Sequence, residues 1–151
     1  ERIFHLAKNL GGSLSDQTVW LLERSMKTMG LRVKAQNENA QRMAEYLFDH
    51  SDIAAVYYPG LPSHPDYELA KSQMHGFGGM LSFELNAAFD ASDFQKSLKL
   101  IKSSMSLAGV ESTVLSPTQT SHALMGEEER ARQGIKDGLI RFPSELKSQK
   151  I

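Results

Sequence analysis

The sequence predicts an α+β fold of two layers. A long N-terminal helical region and further helices pack on one face of a small mixed, largely antiparallel sheet. Three observations predict it. Apolar residues recur at helical spacing through the first third of the chain. Beyond it, short β-branched or aromatic runs alternate with amphipathic stripes, each ended by Gly or Pro. The chain has 151 residues, 40% hydrophobic and 23% charged. Folding at that length hides roughly 68–70% of the accessible surface, enough for one core without staples.

Ser13 and Ser15 can each cap a helix by accepting a backbone N–H, with Asp16 near its positive end. Val19, Leu22, Met26 and Met29 follow at spacings of three and four, one helical stripe; for the methionines core packing is expected. Gly30 weakens the pattern, and a second stripe follows at Ala40, Met43, Ala44, Leu47 and Phe48. The region from about Ser15 to Asp49 therefore reads as one kinked helix or two. Ile53 to Tyr58 reads as a strand stopped by Pro59-Gly60. Pro65 suits the first position of a helix running to about Met74, because its missing N–H costs nothing there. Gly76, Gly78 and Gly79 make a sharp turn into a strand over Met80 to Leu85. Asp90 caps a helix whose apolar face holds Phe94, Leu98 and Ile101. Val110, Val114 and Leu115 are candidate strand positions. Glu127-Glu128-Glu129 favours a helix N-terminus, and Gly134 ends that helix. Leu139 to Phe142 is the last strand, and Pro143 is expected to stop its pairing.

Composition excludes several functions. The formal net charge is −1, and no Lys/Arg run offers the local surplus that nucleic acid requires. Arg130 and Arg132 are offset by the preceding glutamates. There is no cysteine, so disulfides, thiolate metal sites and cysteine nucleophiles are excluded. This is compatible with a reducing cytosol, and a cytoplasmic location is the expectation. No apolar stretch approaches the roughly 20 residues of a membrane span. The chain starts at Glu1 rather than Met, so a fragment or processed product is expected. His5, His50, His64, His75 and His122 show no H-x-x-x-H spacing, and no metal site is assigned. Gly76-Phe77-Gly78-Gly79 precedes a strand and opens no helix, unlike a dinucleotide fingerprint. None of Ser106, Ser112, Ser116 and Ser121 sits in a nucleophile motif.

One charge stands out. Arg141 interrupts the apolar run Leu139-Ile140-Arg141-Phe142, and on a strand its side chain faces opposite to its neighbours. Arginine is the preferred partner of a carboxylate, because its planar fork gives two parallel hydrogen bonds. On this pattern alone a surface Arg on an edge strand is the plainer reading.

Several segments, taken in order, resemble one family. They are Leu21 to Met29, Asn39-Ala40, Val56-Tyr57-Tyr58-Pro59-Gly60-Leu61, Gly78 to Phe83, Ser106-Leu107-Ala108-Gly109-Val110-Glu111-Ser112, Thr120-Ser121-His122-Ala123 and Gly134 to Arg141. Together they are similar to the C-terminal part of the trans-sulfuration enzymes, which metabolise cystathionine and methionine with pyridoxal phosphate. The resemblance runs from about Gly11 to Phe142. It implies the small C-terminal domain of a fold-type I, transferase-like enzyme, with residues 1–14 as a connecting segment, 15–142 as the domain and 143–151 as a divergent tail. It further implies that Arg141 holds the substrate α-carboxylate, that the Ser106 backbone helps hold it, and that Ser121 lies near the substrate. Ala108 and Ser121 stand where the family more commonly has Gly and Thr.

The implied function is that of a substrate-closing domain in a carbon–sulfur lyase acting on cystathionine, methionine or a related sulfur amino acid. The cofactor's aldimine lysine belongs to a large N-terminal domain, so no catalytic lysine is assigned here and this segment alone is expected to be inactive. Met105 stands where members acting on cystathionine at the γ-carbon often carry Glu to meet the distal amino group, which tilts the expectation toward methionine γ-lyase-like or β-lyase-like chemistry. A homo-oligomer is expected. The alternative is a truncated homologue serving as a non-catalytic oligomerisation or interaction domain; an unrelated ligand-binding regulatory domain would make the motif set accidental. After Arg141-Phe142 the chain departs from the family with Pro143-Ser144-Glu145, and Pro143 is expected to remove a strand hydrogen bond beside Arg141.

Overall fold

Ser15 starts a helix as expected: its Oγ accepts from the Thr18 backbone N–H at 3.3 Å. A computed structural model gives the structure, which describes residues 2–11, 14–105 and 109–144 (the Leu10 side chain excepted). The chain forms two units, residues 1–31 and 32–151. Ser13 and Ser106 lie outside the described residues.

The first unit holds α1 (Arg2–Leu10) and α2 (Asp16–Met26), and the boundary falls in the first turn of α3 (Met29–Phe48). The long helical region is therefore two helices, but they part at Lys27 and Thr28 rather than at Gly30. Thr28 Oγ1 donates to the Ser25 carbonyl at 3.4 Å, a side-chain bond that competes with the helical ladder. The stripe expected to be core is not one. Val19, Leu22, Met26 and Met29 are each about half exposed, and α2 has no buried residue. Periodicity marks an apolar face, and in this case the described residues leave that face open.

In the second unit the remaining elements are β1 (Ile53–Tyr57), α4 (Tyr67–Gln73), β2 (Met80–Leu85), α5 (Ala91–Ser97), β3 (Lys102–Ser103), β4 (Thr113–Val114), α6 (Glu127–Arg132) and β5 (Leu139–Pro143). A short 3-10 turn spans Pro117–Gln119. The main sheet is antiparallel with order β1-β2-β5, while β3 and β4 pair in parallel. A bridge from Leu115 to Arg141 joins the segment after β4 to β5, making the whole mixed as predicted. Strand periodicity sends Leu81, Phe83 and Leu85 of β2, with Ile140 and Phe142 of β5, to one face. There they meet Ala40 and Ala44 of α3, both fully buried, whose small side chains let the helix approach closely. Met43 and Leu47 of the second stripe, with Phe94, Leu98 and Ile101, pack against the same core, while Phe48 is exposed.

Local chemistry explains the boundaries. The Asp90 carboxylate accepts from the Ser92 and Asp93 backbone N–H groups at 2.9 and 3.0 Å, capping α5. Pro65 is not the first helical residue: Ala70 N–H donates to the Asp66 carbonyl at 2.8 Å, which makes Asp66 the cap. His64 Nδ1 meanwhile takes the Asp66 N–H, holding Pro65 in the preceding turn. Gly78 enters β2 with φ at +88°, and the buried Tyr58 hydroxyl donates to its carbonyl at 2.9 Å. Burial, then the Glu45 carboxylate, pushes the Tyr58 phenol up to about 12. Gly134 ends α6 with φ at +72°, the left-handed turn glycine tolerates best. Val110 is exposed and lies outside any strand.

Pro143 also behaves differently from expectation. Backbone N–H groups alternate sides along an antiparallel strand. Ser144 N–H donates to the Gly79 carbonyl at 2.7 Å, on the side of β2, so pairing continues past the proline. Arg141 N–H points the other way, to the Leu115 carbonyl at 2.8 Å. Pro143 shares the Arg141 side, where its missing N–H leaves the ladder with β2 intact.

Candidate functional site

The sheet face opposite the helices carries the unusual chemistry. In register across three strands, Tyr57 pairs with Ser82, and Ser82 with Arg141; Glu84 opposes Leu139 in the next row. Arg141 is fixed through its backbone on both edges of β5, since it exchanges both hydrogen bonds with Leu115 and sits within the β2 ladder. Ile140 and Phe142, 0% and 5% exposed, anchor its neighbours in the core. The strand thus delivers the Arg141 side chain to the opposite face, as its position in the apolar run predicted.

The guanidinium is the anomaly. Arg141 Nε and Nη2 are shielded from solvent and have no hydrogen-bond partner among the described residues. These two nitrogens lie along one edge of the guanidinium, the edge that meets a carboxylate side-on through two parallel bonds. A buried, unpaired cation costs several kcal/mol, at the order-of-magnitude level, unless an anion joins it. Two unsatisfied donors side by side therefore define a carboxylate-sized acceptor site.

A second cluster on the same face escaped the sequence reading. Glu84 is only 7% exposed. Its Oε1 accepts from the Tyr57 hydroxyl, and its Oε2 lies 2.9 Å from Lys136 Nζ. Burial pushes the Glu84 carboxyl up, but the hydrogen bonds from Tyr57 and Lys136, with the ammonium's attraction, together outweigh it and hold the carboxyl below its ordinary value. The hydrogen bond to Glu84 raises the Tyr57 phenol and the Lys136 ammonium above theirs. Glu84 carried a readable signal, a charge between Phe83 and Leu85 inside an apolar strand, the same signal that singled out Arg141. Lys136 carried none, being one more lysine in a polar turn.

Ser121 follows the 3-10 turn that packs beside β5, and it is exposed. Its Oγ is 2.8 Å from His122 Nδ1. Ser106 lies outside the described residues; Met105, just before it, is 67% exposed. The structure therefore places Arg141 beside Leu115, and β5 beside the Pro117–Gln119 turn.

Comparison with known proteins adds the lineage. The profile of the Cys/Met metabolism PLP-dependent enzymes matches residues 1–145, and the chain belongs to that family. It is 46% identical over 137 residues to a cystathionine beta-lyase of Lactococcus lactis subsp. cremoris (strain MG1363), covering 91% of this chain and 36% of that protein. It is 48% identical over 134 residues to the chloroplastic cystathionine gamma-synthase 1 of Arabidopsis thaliana, covering 88% of this chain and 24% of that protein. A crystal structure of cystathionine gamma-lyase from Lactobacillus plantarum complexed with L-serine superposes with a TM-score of 0.88 at 38% identity, over 95% of this chain and 38% of that one. The chain thus spans between 24% and 38% of the length of these relatives.

The family's cofactor is pyridoxal phosphate. A lysine that carries it needs a desolvated setting that lowers its pKa. Every lysine among the described residues is exposed, and the one with a resolved shift, Lys136, is shifted upward. The Nε–Nη2 edge of Arg141 therefore suits a carboxylate, and the described lysines do not fit the cofactor's attachment.

Proposed function

We propose that this chain is the substrate-closing part of a pyridoxal-phosphate-dependent carbon–sulfur lyase, and that Arg141 binds the α-carboxylate of a sulfur amino acid. The observation that carries the reading is the orphaned Nε–Nη2 edge of Arg141. A bidentate hold would fix the amino acid's Cα relative to whatever acts on it, and charge-assisted hydrogen bonds contribute about 1.5–3 kcal/mol. Ser106 is assigned to the same carboxylate through its backbone, and Ser121 to the substrate's surroundings. The reading takes residues 1–14 as a connector, 15–142 as the domain and 143–151 as a tail, in a cytoplasmic homo-oligomer. By itself the chain is inactive, since its described lysines suit no aldimine. Whether cystathionine or methionine is the better substrate rests on Met105, an apolar side chain that cannot meet a distal ammonium.

The test is a titration of the protein with L-methionine and with L-methioninamide, following the Arg141 side-chain Nε–H resonance and the amide resonances of Ser82 and Leu115. L-methionine shifts them and the amide does not. Arg141→Ala weakens binding about ten- to a hundredfold. An equal response to the two ligands, or full affinity in the alanine variant, ends the assignment.

A second reading has its own observation. Ile3, Phe4, Trp20 and Leu22 are 84%, 69%, 57% and 51% exposed, an apolar surface that favours a non-catalytic association domain. Under that reading the protein associates but does not discriminate the carboxylate from the amide.

A further inference from the structure

A puzzle remains on the sheet face: Arg141 Nε and Nη2 have no hydrogen-bond partner among the described residues, although a buried carboxylate stands one row away. Ser82 opposes Arg141, and Glu84, two residues on, points to the same face. Diagonal neighbours across an antiparallel pair lie about 7–8 Å apart, within reach of long side chains. Glutamate and arginine together span that gap. A carboxylate tethered so close acts at a high effective concentration, which a free amino acid would have to overcome.

Both Glu84 oxygens are, however, already engaged. Oε1 takes the Tyr57 hydroxyl and Oε2 the Lys136 ammonium at 2.9 Å. Tyr57 comes from β1, on the far side of β2 from Arg141. Lys136 comes from the turn that leads into β5, closed by the Leu139 N–H donating to the Lys136 carbonyl at 3.0 Å. The two donors draw the carboxylate to themselves, and the ammonium cancels its charge.

We propose that Tyr57 and Lys136 are positioning residues for carboxylate binding: by occupying Glu84 they keep this internal competitor off Arg141, whose free edge stays open to an amino-acid carboxylate. The inference rests on the reading of Arg141 as a carboxylate site. It makes Glu84 a restrained competitor, and Lys136 its restraint. The Lys136 side chain is 64% exposed, so solvent screens it and the effect is several-fold rather than absolute.

The experiment measures acetate and L-methionine affinity by the same resonances in a set of variants. Lys136→Met weakens both ligands about three- to tenfold, because Glu84 Oε2 is released toward Arg141. Tyr57→Phe acts in the same direction and less strongly. Lys136→Arg keeps wild-type affinity. The decisive arm is the double variant Lys136→Met/Glu84→Gln, which recovers wild-type affinity because the competitor's charge is gone; a merely structural loss would not recover. Glu84→Gln alone binds at least as tightly as wild type, which keeps the idea testable should Lys136→Met fail to fold. Unchanged affinity in Lys136→Met, no recovery in the double variant, or weaker binding in Glu84→Gln overturns the proposal. Failure of the parent reading looks different: Arg141→Ala would then bind as well as wild type. If Arg141→Ala loses binding while Lys136→Met does not, only the restraint is wrong.

Discussion

The two units use helices in opposite ways. Within residues 32–151, α3 turns Ala40 and Ala44 to the sheet and buries both completely. In residues 1–31, α2 carries Val19, Trp20, Leu21 and Leu22 in succession, each between 47% and 57% exposed. Val19 and Leu22 share the stripe with Met26, while Trp20 and Leu21, at about 100° per step, carry the apolar surface beyond it. Both helices have sound local chemistry. What separates them is whether the same unit supplies the second layer. Capping and propensity can write a helix, but only tertiary packing gives it most of its stability.

The largest effect that sharpens this contrast is a pair of truncations. Ile140→Ala, at a fully buried site, costs about 2–5 kcal/mol in urea unfolding. Leu22→Ala, at a half-exposed site, costs well under that. Equal losses would show that α2 is as deeply packed as β5 and would break the comparison.

Caps come next. Asp90→Ala removes an acceptor of two backbone bonds from α5 and costs about 1 kcal/mol of the second unit's stability. Ser15→Ala removes the single cap bond of α2. It lowers helicity by circular dichroism without moving the urea midpoint of the core. A shift of that midpoint comparable to the Asp90 variant's contradicts the independence of the two.

The smallest effect concerns two ion pairs of equal length. Lys27–Glu23 and Lys136–Glu84 are both 2.9 Å, but the Glu23 side chain is 59% exposed and that of Glu84 is 9% exposed. The folded state holds Glu84 below its ordinary value of 4.5. Its contribution is therefore complete above pH 4.5 and disappears as pH falls through the lowered folded value. The stability difference between wild type and Glu84→Gln thus shrinks on acidification through that window. Glu23→Gln costs little at neutral pH, because solvent screens that exposed pair. A gap for Glu84→Gln that widens toward acid would reverse the sign of the argument.

Much of the second unit was legible from residue order alone. The short apolar runs of β2 and β5 predicted two strands, and Asp90 predicted its own cap; which side chains of those strands enter the core came only with the register. Arg141 was legible from its run: a charge between two core residues on a strand can only face the other way. The exposure of α2 was not legible, because spacing reports an apolar face and not what covers it. Pro143 was misread, since which edge a backbone N–H faces depends on register, and register emerges only when β2 is in place. The Glu84 cluster joins residues 57, 84 and 136, and no local pattern reports a contact made across so much chain.

Pro143 has a final consequence at the rim of the sheet. The outer edge of β5 meets Leu115 at Arg141, and two residues further on it presents a proline with no donor. A stray strand arriving from another molecule would find the first rung taken and the next one missing. Sheet edges that cannot be extended resist the edge-to-edge addition that seeds fibrils. The same residue that left the ladder with β2 untouched thus guards the margin beside Arg141 against templated growth.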